Sequence, residues 1–150
     1  MKILVINGPN LNMLGIREPA HYGRTTYAEL VDRIQRFADE KGVTVRFVQS
    51  NHEGDLVDAI QSAYTEGEDG ILINPGAYTH TSIAILEAVK AVAKPCVEVH
   101  ISDVNAREDF RKISYIRQAC IATVSGLGID GYLVGLEKLM DDIEKAQGQA

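Results

Sequence analysis

Four short, largely apolar runs restrict this chain more than any other feature: KILVIN at 2–7, VTVRFV at 43–48, GILI at 70–73 and CVEVH at 96–100. Each is too short for a buried helix and rich in β-branched residues, the pattern of a strand covered on both faces. Segments with a 3.6-residue period lie between them. Leu30, Ile34, Phe37 and Ala38 share one face of the first helix, which Thr26 and Glu29 open as a capping-box pair and Gly42 closes. Leu56, Ala59, Ile60 and Ala63 share a face of the second, which ends near Gly67. HTSIAILEAVKAV predicts a third helix, capped by Thr79 or Thr81, with Pro95 beyond its end.

Past His100, REDF predicts a helical turn and IATVSG a fifth strand. A last helix is predicted from about Ile129 to Ala146, with Leu133, Leu136, Leu139, Met140 and Ile143 as its buried stripe. Apolar strands alternating with helices demand a parallel sheet with helices on both faces. The expected fold is therefore α/β, a flavodoxin-like doubly wound parallel sheet in a three-layer αβα sandwich.

A length of 150 residues suits one domain, 1–150, with its closing AQGQA expected to fray. The net charge of -6 argues against nucleic acid and anionic membranes as partners. It leaves a small anionic substrate open, because local arginines decide that. Cys96 and Cys120 are far apart and form no CxxC pattern, so reduced core thiols in a cytoplasmic protein are expected. MKILVIN has too short an apolar run for a signal peptide, and no run approaches transmembrane length.

The chemistry is expected beyond the carboxyl ends of the strands, where open parallel sheets bind ligands. Those ends deliver Asn7 and Asn10, then Asn51 and His52, then Asn74, then Glu98 and His100. Glu98 and His100 are two apart on a strand, so their side chains share a face. A carboxylate beside an imidazole fixes its tautomer and favours the charged ring, which makes His100 a candidate general acid. The connection from Ile6 to Tyr27 far exceeds the usual length of about 2–6 residues between strand and helix, the mark of a binding loop or lid. Within it Tyr22 sits among Arg17 and Arg24. Ionising a phenol at neutral pH costs about 4 kcal/mol unaided. One close guanidinium recovers roughly 1–3 pKa units of that, so two cations make Tyr22 a candidate base.

The Ile-Ser-Asp exit after His100, with Arg107 and Arg111 beyond it, offers backbone N–H groups and charge for a carboxylate. His80, entering a helix, can add a hydrogen bond, although threonine-rich helix starts such as its own are common. Other patterns carry less. The GxGxxG match at 126–131 has no following strand, so it is expected to be a turn. The histidines lack HExxH spacing, no Walker loop occurs, and no lysine stands at a strand end as a Schiff-base lysine would.

INGPNLNMLGIREPAHYG, INPGAYTHTS and VEVHISDVNAREDFR, in this order and along nearly the whole chain, resemble the type II 3-dehydroquinate dehydratases. The resemblance implies dehydration of 3-dehydroquinate to 3-dehydroshikimate by anti elimination, in the shikimate route or in quinate breakdown. It implies neither metal nor organic cofactor. It places the family's tyrosine base on Tyr22, its activating arginine on Arg17, and its histidine acid on His100 supported by Glu98. Asn10 takes the position that holds a water near the developing enolate. Asn74, His80, Ile101, Ser102 and Arg111 match substrate contacts. A closing loop and a dodecamer built from trimers are implied as well. One departure stands out: the family commonly has Arg-Asp where this chain has Leu86-Glu87. Glu87 keeps the carboxylate that reaches a neighbouring subunit's site, with one methylene more, while the lost arginine alters ion pairing there.

Two other functions compete. A receiver-like signalling domain shares the sheet but needs acidic residues after strand one and a phosphorylatable aspartate after strand three, where this chain has Asn7 and Asn74. A catalytically silent binding subunit has no need of Tyr22, Arg17 and His100 together.

Overall fold

The computed structural model describes every residue except Arg17, Pro19, His21, Tyr22, Gln149 and Ala150. Strands β1 (Lys2–Asn7), β2 (Thr44–Gln49), β3 (Gly70–Asn74), β4 (Cys96–His100) and β5 (Ala122–Ser125) form one parallel sheet in the order β2-β1-β3-β4-β5. Helices α1 (Tyr27–Lys41), α2 (Glu53–Glu66), α3 (Ile83–Val92) and α4 (Asp130–Gly148) cover it. This is the flavodoxin-like arrangement, and its strand order reverses between β1 and β3.

The apolar strands follow from the two layers they separate. Ile3 and Val5 face α1 and α4, packing with Leu30, Ile34, Leu136 and Leu139. Leu4 and Ile6 face the other way, onto Leu56 and Ile60 of α2 and Ile85 and Val89 of α3. Each such side chain, fully buried, contributes roughly 1.5–3 kcal/mol before chain entropy is set against it. Cys96 is buried in the second layer, Cys120 is half-buried, and both are free thiols. Among the described residues, no helix is long and apolar enough to cross a membrane.

The capping box at Thr26 forms as its spacing predicts, with Glu29 N–H donating to Thr26 Oγ1 and Thr26 N–H to Glu29 Oε2. Four local expectations are corrected. Strand β2 begins at Thr44, because the Val43 N–H is spent on the Ala38 carbonyl, closing α1. The third helix is capped by Ser82, whose Oγ accepts from Ile85 N–H at 3.0 Å, not by Thr79 or Thr81. The reason is that Gly76–His80 first winds as a 3-10 helix that contains Thr79 and ends on Thr81 as its C-cap. The buried stripe of α4 is Tyr132, Leu136, Leu139 and Ile143, and Leu133 and Met140 are only half-buried. Gly135 explains the rotation: a Cβ there would stand 2.7 Å from Leu72 Cδ1, so the helix lies close to the sheet along that line. Finally, α4 continues through Gly148, two residues past its expected end at Ala146.

Candidate active site

The crevice outside β1 and β3, where the strand order reverses, opens into a cavity of about 220 Å³. Pro9, Asn10 and Leu14 form one wall and Asn74, Gly76 and His80 another. His100, Ile101 and Ser102 close its base, and Arg107 and Arg111 reach in from the segment beyond β4. A larger hollow of about 520 Å³ between α1 and α4 is an open groove among charged side chains such as Asp32 and Arg36, and no strand end contributes to it.

His100 is the chemical centre. Its Nε2 lies 2.5 Å from Glu98 Oε2, as their two-residue spacing on β4 predicts. A carboxylate can only accept, so Nε2 carries the hydrogen and Nδ1 is the nitrogen left for a ligand. Glu98 is fully buried and lines no part of the cavity. Burial alone would push its pKa up, but the hydrogen bond and charge of His100, with Arg117 and Ser114, hold it at about 2. Ser114 Oγ donates at 2.8 Å, Arg117 Nε at 3.1 Å and Thr123 Oγ1 at 3.1 Å. These partners were not anticipated from the sequence. Thr123 is the residue of β5 in register with Glu98, and Arg117 is the one charge in the run SYIRQACIATV.

His80 is set up differently. Its Nδ1 lies 2.7 Å from the Ile113 carbonyl and must donate, which leaves Nε2 as an acceptor. Burial lowers its pKa and the charges of His100 and Arg111 lower it further, against the Ile113 hydrogen bond and Glu98, so the neutral ring is favoured. Arg111 pairs with Glu108 at 2.7 Å. Arg107 pairs with Glu18 at 3.6 Å, tying the long connection to the cavity wall. Two guanidiniums on one small cavity suit an anionic ligand.

Asn10 adopts a left-handed conformation, φ 68°. Its N–H donates to Asn51 Oδ1 at 3.0 Å, and Gln49 Nε2 donates to the same oxygen at 3.3 Å. Asn51 thus serves the site through Asn10 rather than lining it, and His52 stands exposed at the start of α2, away from the cavity. Asn7 is buried behind the site, bonded to Tyr132. The expected shared site therefore draws on β1, β3 and β4 directly and on β2 only at second hand. Replacing Asn51 with alanine removes the acceptor for Asn10 N–H at a cost of about 1 kcal/mol. We expect kcat/KM to fall about fivefold in steady-state kinetics, and an unchanged value would mean Asn10 keeps its geometry unaided.

Glu87 is not brought to this cavity. It projects from α3 beside Lys90, 3.7 Å away, and is exposed. Arg17 and Tyr22 lie outside the described residues. Asn10, Asn74, His80, His100, Ile101, Ser102 and Arg111 come together as expected. The 126–131 motif is a turn leading into α4.

A doubly wound sheet with an imidazole–carboxylate pair and two arginines at its switch point has the layout of an α/β enzyme acting on a small polar molecule. Comparison with known proteins narrows this. The family model for class II dehydroquinase matches residues 1–140. Over 140 residues the chain is 54% identical to the 3-dehydroquinate dehydratase of Caldicellulosiruptor saccharolyticus, covering 93% of this chain and 97% of that protein. It is 50% identical over 147 residues to that of Fusobacterium nucleatum, covering 97% of this chain and all of the relative. The type II dehydroquinase of Butyrivibrio crossotus superposes with a TM-score of 0.92 at 51% identity, covering 93% of this chain and 97% of that one. The chain belongs to the class II dehydroquinase family.

Proposed function

We propose that this chain dehydrates 3-dehydroquinate to 3-dehydroshikimate, with Tyr22 as base and His100 as acid. The observation that carries the reading is the Glu98–His100 pair opening onto a cavity lined by Arg107 and Arg111, in a chain about half identical to enzymes named for this reaction. The proton at C2 is acidified by the C3 ketone. The Tyr22 phenolate, its charge offset by Arg17, takes that proton, and the bonding pair moves into an enolate. Asn10, with ordered water, stabilises the enolate oxygen, the kind of preorganised donor that usually supplies the largest catalytic term.

As the enolate collapses, the ketone is restored, a C1–C2 double bond forms and the C1 hydroxyl departs. His100 Nδ1, in the charged ring balanced by Glu98, supplies the proton that makes it water. Arg111, with the Ile101 and Ser102 backbone, receives the substrate carboxylate, and His80 Nε2 accepts from a ring hydroxyl. We assign the reaction to the shikimate route on the same resemblance. No metal or organic cofactor takes part in these steps.

Mixing purified protein with 3-dehydroquinate is expected to produce ultraviolet absorption from the conjugated enone. EDTA and borohydride should leave its rate unchanged. Absence of the enone overturns the function, and inhibition by either reagent overturns the mechanism.

A second copy of the chain is the proposed partner in a trimer-based dodecamer. Around His80, the apolar side chains of Ile83, Phe110 and Ile113 are more than half exposed, and the Phe110 ring packs edge-on against His80. Glu87 lies one turn beyond Ile83 on the same face of α3. An interface there would cover the apolar rim and present Glu87 to a neighbour.

A further inference from the structure

We infer that Tyr132, on the last helix, is a positioning residue for the reaction: its hydroxyl, together with the Gly76 N–H, fixes the orientation of the Asn74 amide so that an Nδ2–H is turned to the ligand. The inference rests on the function proposed above and adds a residue outside the cavity lining. One backbone group dictates the whole arrangement. The Gly76 N–H can only donate, and it points at the Asn74 side chain at 3.1 Å, so the atom it meets is Oδ1. Asn74 Nδ2 then faces the Tyr132 hydroxyl at 3.0 Å and must donate to it. A phenol has one hydrogen, and Tyr132 sends it to Asn7 Oδ1 at 2.6 Å. The direction of every bond follows from the first.

After this, the bonded acceptor and one of the two Nδ2 hydrogens of Asn74 are occupied within the protein. The remaining Nδ2–H is what a side chain lining the cavity can offer. A donor fixed in this way selects an oxygen acceptor, whether hydroxyl, carbonyl or the oxyanion that forms as the C2 proton leaves. It complements His80, whose neutral ring offers an acceptor. Two opposed polarities on one wall can orient a polyhydroxylated ring. Tyr132 is fully buried, and burial raises its pKa, so the hydroxyl keeps its proton throughout the working range. Gly76, at φ +62°, makes the turn that brings its N–H back to Asn74.

The arrangement has a cost. Among the described residues, Asn7 Nδ2 is buried with no partner at full hydrogen-bonding distance, although the Asn7 amide does act on the nearby Tyr27 phenol. A core selected for stability alone would place an apolar pair here at no such cost.

The test is a double-mutant cycle on kcat/KM and stability with Tyr132→Phe and Asn74→Ala. If Tyr132 acts through Asn74, Tyr132→Phe lowers kcat/KM about tenfold or more in the natural chain and by less than twofold when Asn74 is already alanine. The loss of melting temperature from Tyr132→Phe should persist in both backgrounds. Equal kcat/KM losses in the two backgrounds would reduce Tyr132 to a structural role and overturn the inference. Should the variant not fold, side-chain amide NMR of the natural protein decides. One Asn74 Nδ2 proton should resist solvent exchange before ligand is added, and the other should shift on titration with 3-dehydroshikimate. Two rapidly exchanging protons would overturn it. Loss of turnover in the unmodified protein is a separate result and would sink the proposed function instead.

Discussion

Tyr22→Phe is expected to lower kcat by three orders of magnitude or more while leaving the melting temperature nearly unchanged. The substitution deletes one oxygen from a side chain on the long connection, so little packing is lost. What disappears is the group that accepts the C2 proton. General bases contribute roughly 10²–10⁴ in rate. Here the loss should lie toward the upper end, because the remaining candidates are unsuited: His100 is needed as the acid, and the lowered pKa of His80 makes its free nitrogen a weak base. Arg17 supplies the discriminating control. If its charge stabilises the phenolate, Arg17→Gln moves the acid limb of the pH–rate profile toward alkali without abolishing the plateau. A Tyr22→Phe enzyme retaining a tenth of its kcat would assign proton abstraction to another group.

How much of this could be read beforehand depended on distance along the chain. The Glu98–His100 pair was legible because period-two geometry puts neighbours on one strand on one face, whatever lies elsewhere. The fold was legible for a similar reason, since each strand's burial is written in its own residues. What surrounds Glu98 was not. Ser114, Arg117 and Thr123 arrive from 16, 19 and 25 residues away, through 3-10 turns that leave little periodic trace. Tyr132 is 58 residues from Asn74 and 125 from Asn7. Its hydroxyl is hidden in what looks like an ordinary amphipathic helix, and an ideal stripe through Leu133 and Met140 misses it. The line of contact is set by Gly135, a residue with no hydrophobic signal of its own.

These observations share a physical pattern. The residues that face the ligand sit at strand ends and can be found by asking where a parallel sheet puts its carboxyl termini. The residues that aim them come from helices and turns packed behind. Asn51 holds Asn10, Ile113 holds His80, Glu98 holds His100, and Tyr132 holds Asn74. For His80 and His100 an acceptor of fixed polarity decides which ring nitrogen is left to offer, for Asn74 the Gly76 N–H does so, and Asn51 fixes the backbone of Asn10. That division makes substitutions behind the cavity informative, because they change orientation without removing the reacting atom.

Glu98→Gln tests the deepest of these supports, and its effect on rate should be second only to that of Tyr22. The carboxylate accepts hydrogen bonds from His100, Ser114, Arg117 and Thr123. An amide keeps the shape but must turn one N–H toward a donor, and it removes the negative charge beside the His100 ring. We expect kcat to drop by about 10²–10³, within the usual range for general acid catalysis. The pH dependence of stability provides a second readout. The folded pKa of Glu98 is lowered to about 2 from an ordinary 4.5. The stabilisation it brings is therefore complete above pH 4.5 and lost as pH falls toward 2. At 1.36 kcal/mol per pKa unit this is on the order of 3 kcal/mol. Urea titrations of the natural chain between pH 5 and 2 should show that decline, and Glu98→Gln should flatten the part due to this group. A natural chain equally stable at both ends of the window would mean that the buried carboxylate is no better solvated by its partners than by water, and the support it gives His100 would have to be found elsewhere.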